Sequence, residues 1–181
     1  MPVLSRLWNN ASARVTRSLT TWPDAAGWRA SLLAFALFSA FSIGFGFASG
    51  FFTVTPTAMP PVKFASVMAI LFFFPGIFEE LIFRGLVLPH RSEDRSPEQL
   101  RRALAISVVI FILWHVVNAW LTFPVARPVF WDLRFLTIVA GLGWACGWAY
   151  LRTGSLWPSV LIHWSIVVIW KACLGGPVFF E

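Results

Sequence analysis

Charged residues are scarce in this chain of 181 residues: Asp, Glu, Lys and Arg together make up 12% of it, whereas hydrophobic residues make up 58%. Soluble domains carry about a quarter charged residues, so the composition excludes an ordinary water-soluble domain. Cysteine is also rare, with Cys146 and Cys173 as the two examples. This excludes a disulfide scaffold and a paired-cysteine zinc site, and both cysteines are expected to be packing residues.

The sequence lacks the zinc-binding motif of soluble proteases and the internal repeat of many transporters. The sequence His-Glu-x-x-His does not occur, which excludes the metal-binding helix of soluble zinc proteases. No internal repeat is present either, which counts against a transporter built from repeated halves. The formal net charge of +6 does not indicate nucleic acid, because the basic residues stand at the ends of apolar segments, where they meet lipid headgroups. No nucleic-acid partner is expected.

Long apolar runs make up most of the remaining sequence, and helical runs of about 20 residues match the hydrocarbon core of a bilayer. We therefore predict an all-α fold, a polytopic transmembrane helix bundle of about five spans. Residues 29–181 would form a single transmembrane domain that carries the candidate site, after a cytoplasmic or interfacial N-terminal segment at residues 1–28. The predicted spans are residues 29–50, 64–89, 103–123, 133–152 and 156–174.

The arginines predict the orientation, because Lys and Arg concentrate in loops on the cytoplasmic side. We predict a protein of a prokaryotic-type inner or plasma membrane, with the N-terminus in the cytoplasm and the C-terminus outside. The side opposite the N-terminus has mainly Lys63, Arg127 and Arg134. The N-terminal side has many more: Arg6, Arg14, Arg17, Arg29, Arg91, Arg95, Arg101, Arg102 and Arg152.

Three charged residues interrupt the second span, in the segment LFFFPGIFEELIFRGL at residues 71–86. Each charge inside a bilayer costs about 2.5 to 3.5 kcal/mol on insertion scales. Glu80 and Arg84 stand four residues apart and are predicted to form an ion pair on one helix face. Glu79 is then left without a local partner, and an intramembrane carboxyl group of this kind suits a general base or acid.

Two histidines lie in later spans. His115 stands three residues before Asn118 on one helix face, so Asn118 could orient its ring or a bound water. His163 follows Pro158. A proline is tolerated in the first turn of a helix, because a backbone N–H at that position would have no partner within the helix. Counted at about 1.5 Å per residue, Glu79 and both histidines reach similar depths. We expect these three side chains to meet in one cavity.

Other notable residues of the spans receive structural interpretations. His90 is expected to be solvated at the interface, and Lys171 to extend to the outer interface. Gly143 and Gly147 are expected to allow close helix packing without a polar partner.

Three segments follow one another on successive predicted helices: EELIFR, then FILWH, then GSLWPSVLIH. Over about residues 70–170 the chain thereby resembles the CAAX protease and bacteriocin-processing family of intramembrane proteases. The resemblance implies that Glu79 activates water, that His115 holds this water or stabilises the oxyanion, and that His163 completes the site. Many relatives carry additional spans, so a second copy of the chain could complete the substrate gate.

Glu80 and Arg84 match the second acid and the arginine of the family motif, in agreement with the pairing expected from their spacing. The chain departs from the family at Val167, four positions after the last histidine, where relatives usually have a polar residue. This departure puts one polarising contact in doubt.

The residues and the resemblance together predict an intramembrane endopeptidase. It would hydrolyse a peptide bond near the C-terminal or membrane-proximal part of a membrane-associated protein or peptide, for example a C-terminal sorting tail. No cofactor is favoured, although Glu79, His115 and His163 would also supply three ligands to zinc. A non-catalytic membrane scaffold or immunity protein and a proton-coupled transporter are the alternatives from other classes.

Overall fold

A computed structural model describes residues 2–177, with the side chains of residues 11–177. Within this range the chain is helical, and its only β-type pairing is an isolated parallel bridge between Thr55 and Leu174. The helices are α1 (Pro2–Thr20), α2 (Ala25–Ala48), α3 (Pro61–Leu86), α4 (Pro97–Leu121), the short α5 (Pro124–Phe130), α6 (Leu133–Thr153) and α7 (Trp157–Cys173).

Three helices, α2, α3 and α4, are each long and apolar enough to cross a membrane. The pair α5 and α6 is bent by 83° and makes a fourth crossing if it is taken as one broken span. Helix α7 is apolar but has 17 residues, which is the lower limit for a span. The predicted polytopic helix bundle is confirmed, and a helix overlaps most of each of the five predicted segments.

Large apolar side chains cover the outer surface of the bundle. Leu32 and Leu37 of α2, together with Val109 and Leu113 of α4, are each more than half exposed. Continuous apolar surfaces of this kind are unfavourable in water and are covered by lipid in a membrane. The protein is therefore an integral membrane protein.

Helix α6 occupies the centre and packs against α2, α4 and α7. Its inward positions carry small residues, including Ala145, Cys146 and Ala149, which are almost completely buried and allow neighbouring backbones to approach. A Cβ atom at Gly147 would overlap the side chain of Leu104, as expected for a packing glycine. Cys146 is the packing residue that was predicted, whereas Cys173 is exposed.

The N-terminal segment is a helix that is attached to the bundle. Arg14 of α1 donates to the carbonyl of Leu86 at the end of α3, and the Trp157 indole at the start of α7 donates to the carbonyl of Leu19. Helix α1, the loop at residues 87–96 and the turn at residues 154–156 thus share one end of the bundle, the N-terminal end. The predicted orientation requires these arginine-rich segments to lie at the same end of the bundle. That this end faces the cytoplasm stays a prediction.

Helix α4 begins six residues earlier than predicted, because a capping box starts it before the apolar residues begin. Ser96 accepts from the backbone N–H of Gln99, and the Gln99 side chain accepts from the N–H of Ser96. Pro97 occupies the first turn, where its missing N–H has no partner. The pattern Ser-x-x-Gln signals such a start in a sequence.

Helix α3 is irregular over the stretch that carries the acidic residues. Two π-helical turns, Phe72–Ile77 and Leu81–Leu86, flank a single α-turn, Phe78–Glu80. Phe74 has an extended backbone, with φ −138° and ψ 105°, immediately before Pro75. Proline lacks the N–H that would continue the helix and its ring clashes with the preceding turn, and π-helical turns are frequent at functional sites.

Candidate active site

The two adjacent glutamates of α3 point to different surroundings. Both are buried, with exposed fractions of 5% for Glu79 and 0% for Glu80. Glu79 lines a cavity within the bundle together with His115 and His163. Glu80 and Arg84 do not line this cavity and lie behind its wall. The prediction that Glu79, His115 and His163 meet in one cavity is confirmed.

Glu80 joins α3 to α7. Its Oε2 atom lies 3.1 Å from Nε of Arg84, so the predicted ion pair is confirmed. Its Oε1 atom lies 2.8 Å from Nδ1 of His163. The carboxylate therefore balances the buried arginine on one side and holds the histidine ring on the other, as expected when charges are placed in a low dielectric.

Arg84 is completely buried and makes two further contacts. Its Nη2 atom donates to the backbone carbonyl of Gly143 over 3.0 Å, and its guanidinium lies 4.8 Å from the centre of the Phe111 ring. The expectation that Gly143 has no polar partner was therefore wrong. A Cβ atom at position 143 would lie 3.1 Å from Cδ1 of Phe111, so glycine lets α6 approach closely enough for its carbonyl to accept from Arg84.

Glu79 has partners that spacing within its own helix could not reveal. The indole Nε1 of Trp114 donates to its Oε1 atom over 3.0 Å, and its Oε2 atom lies 4.0 Å from Nε2 of His163. The sequence predicted that Glu79 has no partner on its own helix, and the contacts that it makes come from residues of other helices. The available signal for Trp114 was its position beside His115 in the middle of a span, away from the interface where tryptophan anchors are usual.

Hydrogen bonds donated by Nδ1 determine which nitrogen carries the hydrogen in the neutral form of both histidine rings. Nδ1 of His115 lies 2.8 Å from the carbonyl oxygen of Phe111, which accepts only, so this nitrogen carries the hydrogen. Nδ1 of His163 donates in the same way to the Glu80 carboxylate. In each ring the Nε2 atom keeps its lone pair, which can accept a proton or a hydrogen bond.

The cavity combines a few polar side chains with an apolar wall. Its empty volume is about 1000 Å³, including its open part. Asn118 also lines it, but the carbonyl of Phe111 rather than Asn118 orients the His115 ring. Val167 is part of the wall, so the departure from the family pattern lies at the site itself. The apolar lining includes Phe51, Phe74, Phe130, Phe135, Ile138, Leu142 and Ile166.

Two polar residues that were assigned to the interfaces are buried instead. Lys171 has an exposed fraction of 7%, lines the cavity and donates to the carbonyl of Pro177, so it does not extend into the outer interface. His90 is 6% exposed, and its Nδ1 lies 2.9 Å from the hydroxyl of Ser92. Burial and the nearby charge of Arg17 lower the pKa of His90.

The donor atoms do not fit a three-ligand metal site in this arrangement. Within the part of the chain that the structure describes, no group of three His, Cys, Asp or Glu side chains is placed to hold a metal ion. Glu79, His115 and His163 share the cavity without converging as a ligand set. A carboxylate with an imidazole Nε2 atom 4.0 Å away can accept a proton or a hydrogen bond from a bound molecule.

A comparison with protein families identifies the group to which this site belongs. Residues 61–169 match the model of the family described as Type II CAAX prenyl endopeptidase Rce1-like. No curated protein and no solved structure matches the chain. The matched residues are more than half of the chain and include all five predicted site residues. The chain therefore belongs to the Rce1-like family of CAAX prenyl endopeptidases, and this membership implies an intramembrane protease.

Proposed function

Because the chain belongs to this family, we propose that it is an endopeptidase in which Glu79 activates water within the membrane. The substrate would be a membrane-associated protein or peptide, cut near its C-terminal or membrane-proximal part, for example at a C-terminal sorting tail. The observation that carries this proposal is the position of Glu79: its carboxylate lines the cavity with one oxygen held by Trp114 and the other near His163.

In the first step a water molecule donates one hydrogen to Oε2 of Glu79 and the other to Nε2 of His115. As the water oxygen bonds to the substrate carbonyl carbon, its O–H bond breaks and Glu79 takes the proton. The hydrogen bond from His115 Nδ1 to Phe111 leaves Nε2 as an acceptor, which favours the water-holding role of His115 over oxyanion stabilisation.

In the second step Glu79 returns this proton to the leaving amine as the C–N bond breaks. His163 is suited to stabilise the oxyanion when protonated, because its Nε2 faces Glu79 and its Nδ1 is paired with the Glu80 carboxylate. A preorganised donor of this kind contributes most where water is excluded. Arg84 would act indirectly, by holding Glu80 in place.

The central test is cleavage of model peptides with apolar C-terminal tails by purified wild type, Glu79→Gln and His115→Ala. Glu79→Gln should lower kcat at least about 100-fold, the usual size of a general-base contribution. Glu98→Gln is the matched control, because it makes the same chemical change at an exposed position in the first turn of α4. Undiminished cleavage by Glu79→Gln would refute the mechanism.

Each assay is repeated with a strong chelator, since the proposal is metal-free. Activity that disappears with chelator and returns with zinc would replace this proposal by the zinc-dependent protease. Proton flux into liposomes without proteolysis would identify a transporter instead. Specific binding of a partner protein without either activity would identify a scaffold or immunity protein.

A further inference from the structure

One amide side chain lines the cavity without a hydrogen bond of its own. Asn118 of α4 is 9% exposed and is part of the cavity wall, and its side chain makes no hydrogen bond to the described part of the chain. It does not orient His115, whose Nδ1 is held by the carbonyl of Phe111. Because a buried amide without a hydrogen bond is costly, its natural partner is a molecule that enters the cavity.

The backbone around Asn118 is fixed by contacts at the end of α4. Its carbonyl accepts from the N–H groups of Thr122 and Phe123 over 2.9 and 2.8 Å. The next carbonyl, that of Ala119, accepts from the side chain of Arg127 in α5. A donor on a backbone held in this way needs little rearrangement when a ligand binds, which is the condition for a preorganised site.

Asn118 lies next to the groups that are proposed to activate water. It follows Trp114 by four residues and His115 by three, and side chains at these spacings are neighbours on a helix surface, with Cβ atoms about 5 to 6 Å apart. Trp114 in turn holds Oε1 of Glu79. The carboxylate that would take the proton and the amide without a partner are therefore about one helical turn apart along α4.

The carbonyl oxygen of a substrate needs a hydrogen-bond donor, whereas the reacting groups of the cavity offer acceptors. The Glu79 carboxylate accepts, and Nε2 of His115 and of His163 keeps its lone pair while the rings are neutral. The amide of Asn118 has two N–H groups to donate. It is uncharged, so it can donate whether or not His163 is protonated.

We propose that Asn118 is a catalytic residue that donates a hydrogen bond to the carbonyl oxygen of the scissile peptide bond. This inference rests on the proposed protease function and adds a group that polarises the substrate. As the water oxygen bonds to the carbonyl carbon, the π electrons of the C=O bond move onto its oxygen, and the amide N–H stabilises this charge. The N–H bond stays intact, so the proton lost by water still goes to Glu79.

The first experiment measures kcat, KM and thermal stability of Asn118→Leu, in which an apolar side chain of similar size replaces the amide. We expect kcat to fall about 100-fold or more, the usual contribution of one donor to an oxyanion. KM should stay within about twofold, because the charge develops only in the transition state. The melting temperature should not fall, since no hydrogen bond of the fold is lost. An unchanged kcat would overturn the proposal.

Gln99→Leu is the matched control, because it removes a side-chain amide from the other end of the same helix. The Gln99 side chain accepts from the backbone N–H of Ser96 in the capping box, so this substitution should lower the melting temperature and leave kcat unchanged. Asn118→Gln keeps the amide on a longer side chain and should retain more activity than Asn118→Leu. The reverse order of the two variants at position 118 would overturn the proposal.

Infrared spectroscopy separates this inference from the role of Glu79. The ligand is the model peptide with a methylene group in place of the N–H of its scissile bond and carbon-13 at the adjacent carbonyl, so that it binds but cannot be cleaved. Its carbonyl stretch should lie at lower frequency in Glu79→Gln than in the double variant Glu79→Gln and Asn118→Leu, because an accepted hydrogen bond weakens the C=O bond.

The two proposals fail on different results. Equal carbonyl frequencies in the single and the double variant would refute the role of Asn118 and leave that of Glu79 intact. Undiminished cleavage by Glu79→Gln would refute the proposed mechanism, whereas the frequency comparison would still decide whether Asn118 polarises the carbonyl.

Discussion

Two ionic clusters of this protein have similar bond lengths but very different surroundings. In the cluster inside the bundle, Glu80 lies 3.1 Å from Arg84 and 2.8 Å from His163. In the cluster at the N-terminal end, Glu93 lies 2.7 Å from Arg14. The side chains of Glu80 and Arg84 are 0% exposed, whereas those of Arg14 and Glu93 are 22% and 19% exposed. The burial of the side chains, and not the distance between the charged atoms, should therefore decide how much free energy of unfolding is lost when one partner is removed.

The largest difference between the clusters should follow from removing one arginine from each. Arg84→Met leaves the Glu80 carboxylate in a low dielectric without its cation, and we expect a loss of about 3 to 5 kcal/mol in the free energy of unfolding. Arg14→Met removes a partly solvated partner and should cost about 1 kcal/mol or less. Unfolding of each purified variant in mixed detergent and denaturing surfactant measures both losses.

A double variant tests the physical reason for this difference. Glu80→Gln combined with Arg84→Met removes both charges and keeps an acceptor for His163. It should recover part of the stability lost in Arg84→Met, because removal of a complete buried pair leaves no uncompensated charge. Equal losses for Arg84→Met and Arg14→Met would contradict the assigned importance of burial.

A smaller effect is expected where the inner cluster contacts α6. The added methyl group of Gly143→Ala would press on Phe111, whose ring is enclosed by Phe83 and His115. Such overpacking lowers the free energy of unfolding by about 1 to 3 kcal/mol. The higher helix propensity of alanine than of glycine offsets about 1 kcal/mol of this loss. The net loss of stability should be about 1 kcal/mol, with lower activity because the Phe111 carbonyl holds His115.

Gly44→Ala is the matched control for this substitution. A Cβ atom at Gly44 in α2 would meet no atom within 4 Å, so stability and activity should stay within error of wild type or rise slightly. A thermal-shift assay in detergent together with the peptide assay compares the two variants. Equal effects of the two substitutions would contradict the close contact between α6 and Phe111.

The smallest effect concerns pH dependence at the outer cluster. Burial acts to raise the pKa of Glu93, but hydrogen bonds from the His90 backbone N–H and the Arg14 side chain hold it below its ordinary value of 4.5. The folded-state pKa is thus lower than the unfolded one. The stabilisation is fully present above about pH 4.5 and is lost as the pH falls through the lowered value.

The measurement is the difference in unfolding free energy between wild type and Glu93→Gln. It should be about 0.2 to 1 kcal/mol at pH 7 and shrink as the pH is lowered from 4.5 towards 3. His90, whose pKa burial and Arg17 lower, is present in both proteins and largely cancels in the difference. A difference that grows on acidification would have the wrong sign for this interpretation.

Much of the fold could be predicted because the bilayer sets the length of each apolar helix. The predicted segment at residues 133–152 starts with α6 and ends one residue before it, and the segment at residues 156–174 differs from α7 by one residue at each end. The start of α4 was missed because the prediction followed hydropathy and did not weigh the Ser96 capping box. The irregular turns of α3 were missed as well, since Pro75 indicates a break but does not specify the π-helical turns around it.

The candidate site was predictable where partners share a helix. Glu80 and Arg84 pair over one turn, and their spacing alone indicates this. The partners of Glu79 come from other helices, so the contact with Trp114 required the packing of α3 against α4. Lys171 was assigned to the interface because hydropathy places it near the end of α7, whereas packing directs its side chain into the cavity.

The sequence by itself determined that this is a helical membrane protein with acidic and basic groups in its spans, because unpaired charges and exposed backbone groups are too costly in lipid to occur without a reason. The five residues predicted for the site lie within the stretch that the family match covers. Tertiary structure alone decided which side chains of other helices the two adjacent glutamates contact. Glu79 lines the cavity while Glu80 is enclosed between Arg84 and His163, since the direction of each carboxylate depends on how α3 bends and on which helices pack against it.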